Sequence, residues 1–299
     1  MTKKLINNKN IHMIGNIFLG FCLVFMIAIK LVNSVQAGTG CTLTSTGNTP
    51  LCDLGSGVYT NINGTAYTGG LYPNGVNTRP PSHLIAGLNI ANQIQPLDAF
   101  GNPSPTGKVV MISLGMSNTR MEYGFIPSPN YTNTFIYRAS KDPSVNTNLV
   151  FVNCAQFGAG ATNWLGTAPW ATNLVYLSQA GVTSNQVQVA WIKMAHQHPV
   201  YNFGLFPGHA QVLESNLEQV VRLTKSYYPN IKAAYISSRT RDWYYYDPAA
   251  GLSVTNYNPE PCAYEAGFST KWLIENQING VNKRSYDPNQ GPAVAPWCT

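Results

Sequence analysis

Four short apolar runs, separated by stretches with helical patterning, constrain the fold more than any other feature of this chain. Each run is bounded by polar or turn residues, and few of its own members are polar. Continuous apolar strands of this kind are typical of a parallel sheet that helices cover on both faces. The runs are KVVMISL (108–114), NLVFVN (148–153), VQVAWIKM (187–194) and IKAAYIS (231–237).

Apolar residues at helical spacing predict helices beside these strands. One helix is predicted over 82–95, with Ser82 as its N-terminal cap, and two more over 209–228 and 262–279. Strands that alternate with helices favour an α/β fold. The expected architecture is therefore a three-layer α/β/α sandwich around a mainly parallel sheet.

The first 37 residues have the pattern of an export signal. A basic start is followed by an apolar run and then by small residues ending at Ala37. The pattern predicts a signal peptide over 1–37, or a membrane anchor if it is not cut. Residues 38–81, rich in Gly, Thr and Asn, are interpreted as an irregular N-terminal cap, and 82–299 as the α/β domain. The expected location is secreted or periplasmic.

Charge and cysteine usage narrow the class of protein further. Most of the net charge of +6 comes from the four lysines of residues 1–37, so no basic patch for nucleic acid is expected. Cys41 and Cys52 are interpreted as a local disulfide, and Cys262 and Cys298 as a second pair that could hold the C-terminal tail. Cys154 is expected to be a buried thiol. The cysteine spacing does not suggest a zinc site, and no cofactor is expected.

Polar and glycine residues follow three of the predicted strands, where sites form in parallel sheets. Ser117 lies three residues beyond the first strand, after Gly115, and is either a nucleophile or a residue of a tight turn. The Gly158 loop follows the second strand and could supply a backbone donor to an oxyanion hole. His196 and His198 follow the third strand, where structural roles or metal binding are alternatives.

These blocks resemble the SGNH/GDSL hydrolase superfamily over about 108–280. That family carries a Gly-Asp-Ser block after the first strand, a Gly block after the second and a Gly-x-Asn-Asp block after the third. The matching positions here are 115–118, the Gly158 loop and the region of His196. The stretch 71–80 is also similar to one in uncharacterised secreted bacterial proteins. The resemblance implies a flavodoxin-like sandwich and ester hydrolysis, often removal of acetyl groups from glycans.

The chain departs from that family where a serine hydrolase needs its base. Met116 replaces the Asp of the first block, and the closing Asp-x-x-His is absent from 258–265. A serine nucleophile needs a group that takes its proton. The candidates for the base, or for a residue that orients it, are His83, His196, His198, His209, Glu260 and Glu265.

Three hypotheses for function follow. The first is a secreted serine esterase with Ser117 as nucleophile, and the second is a non-catalytic protein that binds a glycan or cell-wall polymer. The third is a metal-dependent enzyme using His196 and His198. Aromatic residues, including those of 243–246, could stack on sugars. The further candidates for substrate binding are Asn118, Arg79, Arg239 and Trp164.

Overall fold

A computed structural model of the chain describes residues 47–124, 132–239, 260–281, 285–287 and 293–299. The predicted signal over 1–37, Cys41 and the aromatic stretch 243–246 lie outside these residues. No helix within the described part of the chain has both the length and the apolar character needed to cross a membrane.

Two small strands and a five-stranded sheet make up the strands of the described residues. The hairpin strands β1 and β2 pair antiparallel, and the strands of the main sheet run parallel in the order β4-β3-β5-β6-β7. The strand bounds are β1 Val58–Thr60, β2 Ala66–Thr68, β3 Val109–Gly115, β4 Leu149–Asn153, β5 Val187–Lys193, β6 Ala233–Ser237 and β7 Trp297–Cys298.

Eight α-helices lie in the described residues. Short 3-10 helices also occur at Pro73–Gly75, Asn163–Leu165 and Ser184–Gln186. The helix bounds are α1 Leu51–Leu54, α2 Pro81–Ala91, α3 Ser117–Tyr123, α4 Phe135–Lys141, α5 Ala168–Gln179, α6 Pro199–Phe203, α7 Gly208–Tyr227 and α8 Cys262–Ile278.

Successive side chains of a strand point to opposite faces of the sheet, and helices pack on both of these faces. Ile112 and Ile192 belong to the main core, which also contains apolar residues of α5, α7 and α8. On the other face, the Tyr123 ring of α3 stacks on Trp191 of β5, with ring centroids 5.9 Å apart. The three-layer α/β/α prediction is therefore confirmed.

The strand order is that of flavodoxin-like sheets. Counted along the main sheet, the strands lie in the order 2-1-3-4-5, with β3 between β4 and β5. The connection from β3 leads to β4 on one side and the connection from β5 leads to β6 on the other, so the switch point, where a crevice is expected, lies at the carboxyl ends of β3 and β5. This position is the expected binding site of such a fold.

Several local predictions need correction. The first long helix begins at Pro81 and ends at Ala91, and its cap position is Pro80, so Ser82 is inside the helix. A proline is favourable at the first helical position because the amide hydrogen that it lacks would have no partner there. Residues 38–81, interpreted above as an irregular N-terminal cap of the domain, contain the β1–β2 hairpin, so this segment is less irregular than predicted.

Of the cysteine predictions, the buried thiol at Cys154 is confirmed, and the disulfide between Cys262 and Cys298 is wrong. Cys262 and Cys298 are buried thiols rather than a disulfide, and the Cys298 Sγ donates to the Pro296 carbonyl. Cys52 is an exposed thiol. Cys154 is a thiol with no exposed surface, as predicted, and burial raises its pKa.

Candidate functional site

Ser117 lies at this switch point, beyond the carboxyl end of β3, as the first residue of α3. Gly115 is required there, because a Cβ atom on it would lie 2.1 Å from the Lys193 carbonyl oxygen of β5. The Thr119 hydroxyl donates to the same carbonyl at 2.6 Å. The ends of β3 and β5 are therefore held closely together beside Ser117.

The hydroxyl of Ser117 is available for chemistry. The residue is half-buried, and its Oγ makes no hydrogen bond within the described part of the chain. The neighbouring Asn118 side chain is occupied, since its Oδ1 accepts a hydrogen bond from the Thr119 amide at 2.9 Å. Asn118 thus stabilises the first turn of α3 in this structure.

The Gly158 loop joins the same group of strand ends. The Gln156 amide donates to the Gly115 carbonyl at 2.9 Å, and the Gln197 Nε2 donates to the Gly158 carbonyl at 2.9 Å. Gly158 itself is exposed, with a φ of 72° that favours glycine. Gln197 was not among the candidates, although its place beside His196 after β5 could have suggested it.

His196 is buried and lies three residues beyond the carboxyl end of β5. Its Nε2 accepts a hydrogen bond from the Asn216 side chain of α7 at 2.8 Å, and its Nδ1 has no partner among the described residues. Burial, together with the nearby His209, lowers the pKa of His196 from 6.5 to about 4. The imidazole is therefore neutral at neutral pH.

This shift in pKa predicts how stability depends on pH. Between pH 6.5 and about 4 the unfolded chain protonates His196 while the folded chain does not, so the free energy of unfolding falls as the pH falls. From pH 6.5 to about 4.5, we expect the wild type to lose about 2 kcal/mol more than His196→Gln. Urea unfolding at each pH measures this difference. Equal losses in the two proteins would contradict the lowered pKa.

His83 and Arg79 lie far along the sheet from Ser117. The His83 Nε2 is 3.0 Å from the Cys298 carbonyl, and its ring stacks on Trp297 of β7. The Arg79 Nε donates to the Thr299 hydroxyl at 2.8 Å. Since β7 is the third strand from β3, the structure does not bring these two candidates to Ser117.

Glu265 is part of a separate buried cluster at the starts of α7 and α8. One carboxylate oxygen accepts a hydrogen bond from the Tyr59 hydroxyl at 2.6 Å, and the other accepts one from the His209 Nε2 at 2.8 Å. Cys262 lies beside them, one turn earlier on α8. Neither His209 nor Glu265 bonds to Ser117.

Glu260 caps the helix that carries this cluster. It has no exposed surface, and its Oε2 accepts a hydrogen bond from the Tyr264 amide in the first turn of α8 at 3.1 Å. A carboxylate in this position stabilises the positive end of the helix dipole. Stabilisation of the start of α8 therefore accounts for the placement of Glu260, which the structure does not bond to Ser117.

The proposed metal pair, His196 and His198, does not form a ligand group. His198 adopts a left-handed conformation just before α6, while His196 is bonded to Asn216. Within the described ranges, the one group of three ligand-type side chains is His209, Cys262 and Glu265. This group had no signal in the spacing of the sequence, because its members come from two helices.

The aromatic candidates divide between core and surface. Trp164 is completely buried, and its Nε1 donates to the Ala159 carbonyl, so it cannot stack on a sugar in this conformation. Trp191 is half-buried on the sheet, where its Nε1 donates to the Ser237 hydroxyl at 2.7 Å. Tyr235 lies beside it and is 47% exposed. Arg239 lies just beyond the carboxyl end of β6, two residues after Ser237.

Comparisons with known proteins give only distant similarities. No protein-family model matches the chain, and no curated protein matches it. Among solved structures, the lipase Lip_vut3 from a goat rumen metagenome is similar over 45% of this chain and 65% of its own, with 10% identity and a TM-score of 0.30. TesA is similar over 62% of this chain and 88% of its own, with 10% identity and a TM-score of 0.31. The chain thus spans less than two thirds of the lipase, and overlaps this weak support no conclusion about activity.

Proposed function

We propose that this protein is a serine hydrolase that cleaves esters, with Ser117 as its nucleophile. One observation carries the proposal: Ser117 is half-buried, its hydroxyl makes no hydrogen bond to any described residue, and it stands at the switch point of a parallel 2-1-3-4-5 sheet. Sites in such sheets form at this position. The tight approach of β3 and β5 at Gly115 fixes the backbone that presents the hydroxyl.

The amide of Ser117 and the Gly158 loop are the proposed oxyanion donors. The first amides of a helix lack intrahelical acceptors, so they can donate to a developing negative charge. The loop is held to the ends of both neighbouring strands through Gln156 and Gln197. The proposal thus assigns two backbone donors from two adjacent strand ends.

His196 is the proposed base. It follows the strand next to β3, and it is neutral at neutral pH because its pKa is lowered to about 4. In the orientation observed, the Nε2 accepts from Asn216, which places the ring proton on Nδ1. Reversal of the Asn216 amide would move that proton to Nε2 and leave Nδ1 able to take the proton of Ser117.

Secretion and an acetylated polysaccharide as substrate complete the proposal. The N-terminal pattern of 1–37 supports export, and the resemblance to the SGNH/GDSL superfamily supports an ester of a glycan. Exported hydrolases with this substrate would act outside the cell, where such polymers occur. The substrate is therefore sought first among acetylated glycans.

Labelling with a fluorophosphonate probe tests the nucleophile. We expect the full chain to gain the mass of one adduct, because the probe reacts covalently with activated serines, and we expect Ser117→Ala to gain none. Ser178→Ala is the matched control, since Ser178 is an exposed helical serine on α5. An unlabelled wild-type protein with a cooperative thermal transition would overturn the proposal.

A glycan-binding protein is the second candidate. It is favoured by the lack of any imidazole or carboxylate bonded to Ser117 among the described residues, and by the exposed Tyr235 ring beside Trp191. Aromatic rings that are exposed on a sheet can stack on sugar faces. A glycan array in which Tyr235→Ala loses binding while Ser117→Ala keeps it would select this function.

A further inference from the structure

The starts of α7 and α8 bring together three side chains that bind transition metals well. His209 lies in the first turn of α7, and Cys262 and Glu265 lie in the first turn of α8. One possible ligand atom from each residue lies within 4.8 Å of the other two, and all three residues are buried. The ester-hydrolase proposal uses none of them.

The spacing of these atoms is close to that of a zinc site. Bonds of about 2.0 to 2.3 Å in a tetrahedron place ligand atoms about 3.3 to 3.8 Å apart. The His209 Nε2 and the Glu265 Oε2 are 2.8 Å apart, and no pair exceeds 4.8 Å. Side-chain movements of about an ångström would bring all three to bonding distance of one ion.

The charges of the cluster are compatible with a divalent cation. Among the described residues no Lys or Arg pairs with Glu265, whose only ion-pair partner is His209. Glu260 is also buried and lies two residues before Cys262. A divalent ion would balance one thiolate and one carboxylate, so the loaded site would be neutral, which lowers the cost of its burial.

The surroundings fix one ligand and leave one position open. The Tyr59 hydroxyl holds the Glu265 Oε1, so Oε2 is directed to the other two ligands. Cys262 and Glu265 also line a cleft of about 130 Å³, together with Tyr59 and an apolar wall. An ion bound here would therefore border the cleft, from which a water molecule can supply a fourth ligand.

We propose that His209, Cys262 and Glu265 bind a zinc ion between the starts of α7 and α8, beside the cleft that Cys262 and Glu265 line. On binding, the Cys262 thiol releases its proton to solvent, and the imidazole binds through Nε2 as its proton moves to Nδ1. The mixed sulfur, nitrogen and oxygen ligands select a borderline-soft ion such as zinc over magnesium or calcium. The site does not depend on Ser117.

Titration of the metal-free full chain with zinc, and with cobalt as a spectroscopic probe, tests the site. We expect one equivalent of zinc to bind, and cobalt to give a thiolate charge-transfer band. At a zinc concentration 100-fold above Kd, the midpoint of thermal unfolding should rise by about 5–10 °C. Cys262→Ser and His209→Gln should each weaken binding at least about 100-fold, and Tyr59→Phe about 10-fold, because Tyr59 only orients a ligand.

Cys52→Ser is the matched control for binding by an unrelated thiol, because Cys52 is exposed and lies outside the cluster. It should retain the full stoichiometry and the cobalt band. Loss of binding in Cys52→Ser, or retained affinity in Cys262→Ser, would overturn the proposal. A wild-type cobalt spectrum without a thiolate band would also overturn it, whether or not the variants fold.

Discussion

The Glu265→Ala variant is expected to lose about 3–5 kcal/mol of unfolding free energy, measured by urea denaturation with a metal chelator present. The carboxylate is buried and accepts hydrogen bonds from Tyr59 and His209. Its removal leaves the buried His209 donor without an acceptor, at a cost of about 1–3 kcal/mol, and the half-buried Tyr59 hydroxyl loses its partner at a smaller cost. A cavity in place of the side chain adds to the loss.

The Glu265→Gln variant is the matched control for this result. It retains the volume and one carbonyl oxygen, so one of the two donors keeps its acceptor and the loss should be roughly half as large. A loss below about 1 kcal/mol in Glu265→Ala would show that water reaches the cluster and replaces the carboxylate. That outcome would contradict the buried hydrogen-bonded pair.

The Trp164→Ala variant should lose about 3–5 kcal/mol, because Trp164 is a core residue and its removal leaves a large cavity. Its ring has no exposed surface, and it meets Trp170 edge to face with ring centroids 5.3 Å apart. For a domain of this size, we expect the midpoint of thermal unfolding to fall by about 6–20 °C. Differential scanning calorimetry measures this change.

Phe157→Ala is the control, since that ring is 64% exposed and lies in the neighbouring loop. It should change the free energy of unfolding by no more than about 1 kcal/mol, because the exposed ring loses little more than its cation–π contact with Arg120. If Trp164→Ala unfolded like the wild type, the residue would be at the surface, and the sugar-stacking role would be restored. The two variants thus separate a core role from a binding role.

The strands of the main sheet were largely predictable from the sequence, with one exception. The four apolar runs match β3 to β6 to within two residues, because a strand covered on both faces must be apolar throughout. The strand β7, Trp297–Cys298, was missed. Two residues carry no periodicity, and this strand exists only because the tail pairs with β6.

The candidate site was predictable only in part, because some of its residues are placed by local pattern and others by contacts between distant parts of the chain. The position of Ser117 followed from the chain itself, since a residue just beyond a buried strand lies at the carboxyl edge of a parallel sheet. The position of His83 could not be predicted from the sequence, because its contact with Cys298 joins residues that are 215 positions apart. The sequence makes Glu265 a candidate partner of Ser117, whereas in the structure its carboxylate is bonded to Tyr59 and His209.

The sequence by itself determined the class of fold, the main strands and the position of Ser117 just beyond the carboxyl end of β3. These are properties of local hydrophobic pattern, which acts over a few residues. The tertiary structure alone decided that Trp164 is in the core, that Cys262 and Cys298 are not joined, and that His209, Cys262 and Glu265 meet. Such contacts depend on how whole helices pack, and no short stretch of sequence contains both partners.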